Sequence, residues 1–440
     1  MIGYQQEQRS LTKEQKEAVG LLSIGTFLEY FDLMLYIHMA ALLNELFFEP
    51  TDPHSAYLMT AFAFCSTYVF RPMGALIFGW LGDNIGRKTT VIITTFMMAF
   101  SCIVMANLPT YAQIGVTAAW VVTICRIVQG ISSMGEIVGA ELYLAETINP
   151  PAQYATVVLI VAFSALGGIA ALGIASLVTS HGFNWRIAFW VGAVVALIGS
   201  VARTALRETP EFADAKRRIK IVFSKTNTNT SILANDITWN EKVNTKTVIA
   251  LFLLQCALPV SFYFTYVHCG NILKTTFGYT STEIIYHNLI VSIVQFLGML
   301  MLTYISYKVY PLLILKVKLI IFSVFIVFCP YWLNNLHLPF DLLLIQSFVV
   351  LFWNDIGPAA PICYKSFPVF KRFTCASLTF ALSRALMYVI ISFGLIYLTK
   401  YFGHYGLLII MIPTSIGFAY GLFHFEKLEK QAGNYPQKKL

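Results

Sequence analysis

The chain is built from recurring stretches of about 20 mostly apolar residues, spread from Ala18 to Phe425. Each stretch is long enough to cross a hydrocarbon core of about 30 Å as a helix. Lipid offers no partner for backbone amides, so spans of this kind fold as helices. Strands of a membrane barrel would instead alternate in polarity over roughly ten residues. The sequence therefore predicts an all-α polytopic membrane protein.

The composition agrees with this class. Of the 440 residues, 57% are hydrophobic and 12% are charged, whereas about a quarter of the residues in a soluble protein are charged. The eight cysteines lie almost all inside apolar spans, without the close spacing that metal sites use. We therefore expect no metal and no cofactor. The net charge of +8 does not indicate a nucleic-acid partner, because the basic residues flank the apolar spans.

Twelve apolar spans can be drawn along the chain. Their approximate limits are 18–45, 57–80, 90–108, 114–143, 154–179, 186–206, 247–273, 283–307, 312–333, 340–363, 373–398 and 404–425. The one long polar segment lies between the sixth and the seventh. The predicted organisation is an N-terminal tail (1–17), a first six-helix bundle (18–206), a central loop (207–246), a second six-helix bundle (247–425) and a C-terminal tail (426–440).

Lysine and arginine are distributed unequally between the two sets of connecting loops. One set, together with both tails and the central loop, holds most of the basic residues, and the other set holds only Arg186, Lys274 and Lys400. Positively charged loops stay on the cytoplasmic side of a membrane. The pattern predicts a multi-pass protein of the inner (plasma) membrane with both termini in the cytoplasm.

Ionisable side chains inside membrane spans are costly and mark functional sites by default. Glu29, Asp32 and Tyr36 share one face of the first span, because they are three and four residues apart. The fourth span has a similar polar stripe. The candidates for a solute and proton pathway are Glu29, Tyr30, Asp32, Tyr36, Arg71, Arg126, Gln129, Glu136, Asp355 and Arg384.

Structural explanations exist for several of these residues. Arg71 and Arg126 could be counter-ions that hold the helices in register against Glu29 and Glu136. Two acids one helical turn apart repel each other unless cations or protons neutralise them. This favours a functional role for Glu29 and Asp32. Asp355 lies in the string WNDIGPAAP, where glycine and proline either open the backbone for gating or only kink the helix.

The segment 78–89, FGWLGDNIGRKT, connects the second and third spans. Its glycines permit a tight turn and a close approach of helices. Asp83 can accept hydrogen bonds from a helix N-terminus, and Arg87 can bind Glu146 at the end of the fourth span through two hydrogen bonds. We interpret these residues as a cytoplasmic latch, the alternative being a solvated turn that only sets topology. The predicted gating residues are Gly79, Asp83, Gly86, Arg87 and Glu146.

The string GWLGDNIGRK resembles the signature loop of the major facilitator superfamily, and RIVQG at 126–130 resembles its fourth-helix arginine motif. Further strings resemble the metabolite:proton symporter family, which includes proline/betaine, α-ketoglutarate, citrate and shikimate carriers. They are LEYFDLMLY, FRPMGALIFG, RIVQGISSMGE, AELYLAE, NWRIAFWVG and LRETPEF. The resemblance implies two pseudo-symmetric six-helix bundles that carry a solute together with a proton by alternating access.

The second half departs from the family pattern. Where the signature loop would recur, the chain reads TYISYKVYP at 303–311, without the aspartate and the glycines. Asn84 also stands where a basic residue is usual. The fifteen residues after Phe425 are too few for the long coiled-coil tail of the osmosensing members, so we expect no osmotic gating through such a tail.

The charges of the spans bear on the cargo. The candidate pathway residues include three arginines and four acids, so the cavity has no cationic surplus of the kind that favours a dicarboxylate. These residues are Arg71, Arg126, Arg384, Glu29, Asp32, Glu136 and Asp355. The balance favours a zwitterion, and aromatic residues could offer their faces to a quaternary ammonium. The alternatives are a mono- or dicarboxylate proton symporter and a non-transporting solute sensor, while no motif supports a membrane enzyme. The expected partners are a small solute, protons and the bilayer, and a monomer would suffice.

Overall fold

The computed structural model describes residues 7–48, 67–181, 184–204, 206–214, 216–217 and 241–435. The beginning of the second predicted span and most of the central loop therefore lie outside the described residues. The side chains of Tyr36 and Glu136, two of the predicted pathway residues, also lie outside them.

The described chain is helical at each of the twelve predicted spans. The helices are α1 (Lys13–Phe47), α2 (Arg71–Asn84), α3 (Arg87–Asn107), α4 (Val116–Thr147), α5 (Ala152–His181), α6 (Arg186–Arg203), α7 (Thr245–Tyr263), α8 (Ser281–Lys308), α9 (Pro311–Asn334), α10 (Pro339–Phe352), α11 (Val369–Phe402) and α12 (Gly406–Gln431). Among the described residues, eight helical stretches are long and apolar enough to cross a membrane, and one of them, 369–431, contains both α11 and α12. The prediction of an all-α polytopic protein is confirmed.

Local sequence explains where several helices begin. At the start of α8 the Glu283 amide donates to the Thr280 hydroxyl, and the Thr280 amide donates to the Glu283 carboxylate, at 3.3 and 2.7 Å. This reciprocal pair satisfies two amides that have no partner within the helix. Pro311 and Pro339 open α9 and α10, where the missing N–H of proline costs nothing.

Two helices change their geometry in the interior of the protein. After α7 the chain makes a π-helical turn, Phe264–His268, and continues as the helix Cys269–Phe277. After α10 the residues 353–356 are not helical, and the chain resumes through a 3-10 turn, Gly357–Ala359, into the short helix Ala360–Lys365. Pro358 has no N–H to donate to the carbonyl of residue 354 and its ring crowds that carbonyl, which explains why the helix is interrupted there.

The two six-helix halves pack against each other through two pairs of helices, α2 with α11 and α5 with α8. The contact of α2 with α11 is close because glycine faces it. A Cβ atom added at Gly79 would lie 2.8 Å from the Thr374 Cα atom. The outer faces of the helices carry large apolar side chains, such as Phe100, Trp120 and Ile320, which are about two-thirds exposed. Those faces are suited to contact with lipid tails.

Candidate functional site

Asp32 on α1 and Arg126 on α4 form a buried ion pair. The Arg126 Nη1 atom lies 2.9 Å from the Asp32 Oδ2 atom and 2.8 Å from the Gln129 side-chain oxygen. The Gln129 amide nitrogen donates to the other carboxylate oxygen, Oδ1, at 2.9 Å. Arg126 also donates to the Thr67 hydroxyl at 3.3 Å. The helical spacing of Arg126 and Gln129 lets both reach the same acid.

A second buried pair joins α1 to α2. The Arg71 Nη2 atom lies 3.3 Å from the Glu29 Oε1 atom, and each side chain is under 5% exposed. The guanidinium also lies over the ring of Tyr68, 4.6 Å from its centroid. Glu29 and Asp32 are therefore each neutralised by an arginine of the same half, and this turn of α1 forms ion pairs with both α2 and α4.

A cavity of about 50 Å³ lies where the two halves meet. It has charges of both signs in its wall, from Arg71, Asp355 and Arg384, and aromatic rings from both halves. A second cavity, of about 40 Å³, shares Tyr30, Asp355 and Arg384 with the first. The aromatic rings of the first cavity belong to Tyr30, Tyr68, Phe262, Tyr266, Trp353 and Tyr388.

Arg384 on α11 is buried and reaches both cavities. Its Nη1 atom donates to the Gln255 side-chain oxygen at 2.8 Å, and its guanidinium stacks on the ring of Phe380, 3.3 Å from the centroid. No carboxylate lies within 4 Å of it in the part of the chain that the structure describes. Asp355 lies in the non-helical segment after α10, where the interrupted backbone places its carboxylate in the cavity wall.

One end of the bundle is closed by a group of charged residues, which we call the latch cluster: Asp83, Arg87, Glu146 and Arg372. Arg87 binds Glu146 through two hydrogen bonds, from Nε to Oε2 at 3.2 Å and from Nη2 to Oε1 at 3.1 Å. Arg372 of α11 donates to the same Oε1 atom at 3.0 Å. Glu146 therefore binds one arginine from each half, and we call this end of the bundle the latch face.

Asp83 completes the connection between the halves. Its two carboxylate oxygens accept hydrogen bonds from the backbone amides of Phe373 and Thr374 on α11, at 3.0 and 2.8 Å. Arg87 also donates to the Val369 carbonyl oxygen at 2.7 Å. At Gly86 φ is +145°, a conformation that side chains rarely adopt, and an added Cβ would collide with the Glu208 carboxylate. The connecting turn thus depends on glycine.

The model of the Major Facilitator Superfamily matches residues 22–390. The chain belongs to this superfamily. The family that the motifs predicted is thereby confirmed, and the glycine-rich turn before α3 is where its signature string occurs in this chain.

Named relatives of this superfamily member are transport proteins. The inner membrane metabolite transport protein YhjE of Escherichia coli (strain K12) is 34% identical over 50% of this chain and 52% of its own length. The proline/betaine transporter of Salmonella typhimurium is 32% identical over 45% of this chain and 41% of its own length. The matching part spans about half the length of these curated relatives. The proline/betaine likeness of the motifs is also confirmed.

Solved structures of the superfamily share the fold over nearly the whole chain. A double-tryptophan variant of XylE aligns with a TM-score of 0.77 at 15% identity, covering 93% of this chain and 98% of its own. The proton:xylose symporter XylE bound to 6-bromo-6-deoxy-D-glucose aligns with a TM-score of 0.71 at 14% identity, covering 93% of this chain and 95% of its own. At such identities the likeness shows the fold alone, which is the predicted twelve-helix fold.

The structure brings together most of the pathway residues that the sequence predicts. Glu29, Asp32, Arg71 and Arg126 form two pairs, and Tyr30, Asp355 and Arg384 line the cavities. Arg126 pairs with Asp32, and the side chain of Glu136, its other possible counter-ion, lies outside the described residues. The roles of all these residues stay predictions.

Two further groups have no counterpart in the predicted site. Glu141 on α4 accepts a hydrogen bond from the Tyr364 hydroxyl of the other half, at 2.7 Å. Arg372 joins the latch cluster. Glu141 is an ionisable residue inside the fourth predicted span, so its position alone makes it a candidate in the same way as Glu136. Arg372 is only one of several basic residues beside the predicted spans, so the sequence gives no signal that it binds Glu146.

Proposed function

We propose that this protein is a secondary active transporter that carries a small zwitterionic metabolite, of the proline or betaine kind, together with a proton across the inner membrane. The observation that carries the proposal is the cavity between the two halves, whose wall combines Arg71, Asp355 and Arg384 with six aromatic rings. A zwitterion needs both kinds of partner. Guanidinium groups bind carboxylates, and aromatic faces attract quaternary ammonium groups.

Unused hydrogen-bond donors around the cavity support a ligand that carries a carboxylate. The Arg71 Nε and Trp353 Nε1 atoms are buried and have no hydrogen-bond partner within the described part of the chain. Buried polar atoms of native proteins nearly always have partners, so each such atom suggests a bound water or ligand. Donors of this kind suit carboxylate oxygens.

The size of the cavity fits a closed state of a transport cycle. A volume of about 50 Å³ holds a few water molecules and is too small for proline or betaine. Access must come from a relative movement of the two halves, and the latch cluster is the contact that such a movement breaks on its own side. The charge pattern of the loops makes the latch face the cytoplasmic one in this proposal.

The decisive experiment is uptake into proteoliposomes. Radiolabelled betaine, proline and α-ketoglutarate are offered with and without an inwardly directed proton gradient. We expect betaine or proline to accumulate only with the gradient, because the energy comes from the proton. Accumulation of α-ketoglutarate alone would favour the dicarboxylate alternative.

The divergent second half, which lacks the signature loop, favours a second candidate function, a solute sensor on the same fold. Experiments with the same proteoliposomes distinguish a sensor from a transporter. A sensor binds betaine in equilibrium binding experiments and accumulates none of the three solutes under any gradient.

A further inference from the structure

Glu141 occupies a position between the two halves of the transporter. It lies on α4 in the first half, is 7% exposed, and accepts a hydrogen bond from the hydroxyl of Tyr364 in the second half. It also lines the 40 Å³ cavity together with Tyr30, Asp355 and Arg384. Because Glu141 and Tyr364 belong to different halves, a movement that separates the halves at the latch face would also separate these two side chains.

The charge of Glu141 is not compensated as the charges of Glu29 and Asp32 are. Glu29 and Asp32 each have an arginine within 3.3 Å. Of the described side chains, no lysine, arginine or histidine lies within 4 Å of the Glu141 carboxylate. A buried carboxylate without a cation in contact is strongly disfavoured in its ionised form.

The groups that face Glu141 do not remove this penalty. Tyr30 of α1 and Tyr364 after α10 are phenols, and α5 contributes only Ile160, Val161 and Ser164 to the cavity wall. The guanidinium of Arg384 lies in the same cavity wall and attracts the Glu141 carboxylate only from beyond 4 Å, while it donates to Gln255 and stacks on the ring of Phe380. Asp355 adds a second negative charge near Glu141, although the buried ammonium of Lys318 also attracts Asp355.

We propose that Glu141 holds the transported proton while the latch face is closed and releases it when the latch face opens. The inference rests on the proposed proton symport and names the acid that carries the proton in this state. In this closed state Asp32 and Glu29 are in ion pairs and the buried ammonium of Lys318 attracts Asp355, so Glu141 is the acid that we assign to hold the proton here. A proton from water on the opposite face binds a carboxylate oxygen of Glu141. It passes to water on the latch face once Tyr364 has moved away.

This assignment makes the closed state depend on pH. Deprotonation of Glu141 places a negative charge beside Asp355 in a closed, poorly hydrated cavity. Opening of the latch face relieves that cost because water then reaches the carboxylate. Alkaline pH should therefore favour the open latch face, and in Glu141→Gln, which cannot be deprotonated, opening of the latch face should no longer depend on pH.

Coupling is tested by transport in proteoliposomes with betaine as the solute. For Glu141→Gln we expect betaine counterflow close to the parental rate and a loss of gradient-driven accumulation of about tenfold or more. Betaine-driven proton entry, followed with a trapped pH-sensitive dye, should be lost as well. Thr123→Ala on the same helix, where the Thr123 hydroxyl bonds only within the helix, is the matched control. Parental accumulation in Glu141→Gln would overturn the assignment.

A second measurement needs no solute. Spin labels are placed at the exposed residues Ile85 and Ser366, one on each half at the latch face. In the parent the distance between the labels should lengthen as pH rises, and in Glu141→Gln it should not change with pH. An equal pH response in both proteins, or none in the parent, would overturn the proposal. If the parent accumulates no betaine but shows the pH response, the proposed cargo fails while the role of Glu141 stands.

Infrared spectroscopy covers the case in which Glu141→Gln does not fold. The difference between infrared spectra of the parent recorded at low and at high pH should contain the carbonyl band of a buried protonated carboxyl. In Glu141→Asp that band should shift, because aspartic and glutamic acids absorb at different frequencies. A band that is absent, or identical in the two proteins, would contradict the assignment.

Discussion

The carboxylate of Asp32 lies 2.9 Å from the guanidinium of Arg126, and Gln129 donates to its second oxygen at the same distance. All three residues belong to the first half, so the cluster can persist while the halves rotate against each other. A carboxylate-bearing solute that binds Arg126 would compete with Asp32. Binding of the solute and binding of a proton to the displaced acid would then be linked.

We expect Asp32→Asn to separate exchange from accumulation. The asparagine keeps the hydrogen-bonding shape but cannot take up a proton when the solute displaces it from Arg126, a step separate from the closed state in which Glu141 holds the proton. Betaine counterflow should therefore continue while gradient-driven accumulation disappears. Both activities are measured on the same reconstituted protein. If Asp32→Asn and Glu29→Gln each accumulate betaine as well as the parent, these two acids do not couple transport to the proton.

Arg126→Ala should lose both counterflow and accumulation, because the guanidinium serves Asp32 and the solute alike. Removal of one partner of a buried ion pair costs about 3 to 5 kcal/mol, so the thermal midpoint of the purified protein should also fall. The double variant Arg126→Ala/Asp32→Ala should recover part of the midpoint but no transport. Counterflow in Arg126→Ala at the parental rate would contradict the assignment.

The latch cluster should control rate rather than affinity. Asp83→Asn weakens the contact of its carboxylate with the amides of α11, and Arg87→Ala removes the contact with Glu146. Both variants should slow transport several-fold and leave betaine affinity largely intact, since a ligand senses such a change only through state populations. Initial rates and equilibrium binding are measured in parallel. Asn84→Ala is the control, because the Asn84 side chain bonds only to the Trp80 carbonyl of its own helix.

A methyl group at Gly79 should push α2 away from α11. Its Cβ atom would lie 2.8 Å from the Thr374 Cα atom, which no rotamer change can relieve. Overpacking of this kind costs about 1 to 3 kcal/mol, so Gly79→Ala should lower the thermal midpoint and favour the open latch face. Gly20→Ala, where an added methyl group meets nothing within 4 Å, serves as the control. Equal midpoints for the two variants would show that the close packing is dispensable.

The orientation of the chain remains a prediction from its loop charges. A protease site inserted between residues 218 and 240 of the central loop should be cut in lysed cells and protected in intact spheroplasts. Cleavage in intact spheroplasts would reverse the assignment of the latch face to the cytoplasm. A site in the opposite loop that contains Lys274 should give the reverse pattern.

The sequence by itself determined the membrane class, the helical spans and the superfamily, and it indicated three of the four residues of the latch cluster, whose gating role stays a prediction. These features are local: hydropathy is summed over neighbouring residues, and glycine acts through the backbone at its own position. The string at 78–89 indicated a turn with an acid and an arginine. The structure shows that turn, with Arg87 bound to Glu146.

Only the tertiary structure decided which charges meet. Arg126 contacts Asp32, 94 positions away, and Tyr364 contacts Glu141, 223 positions away. Glu146 binds arginines of both halves, and nothing in the spacing of the second half indicates that Arg372 reaches it. The physical reason is that helix periodicity fixes the face on which a side chain lies but not the helix that covers that face. Which helix covers each face is determined by the packing of α2 on α11 and of α4 beside the interrupted tenth span.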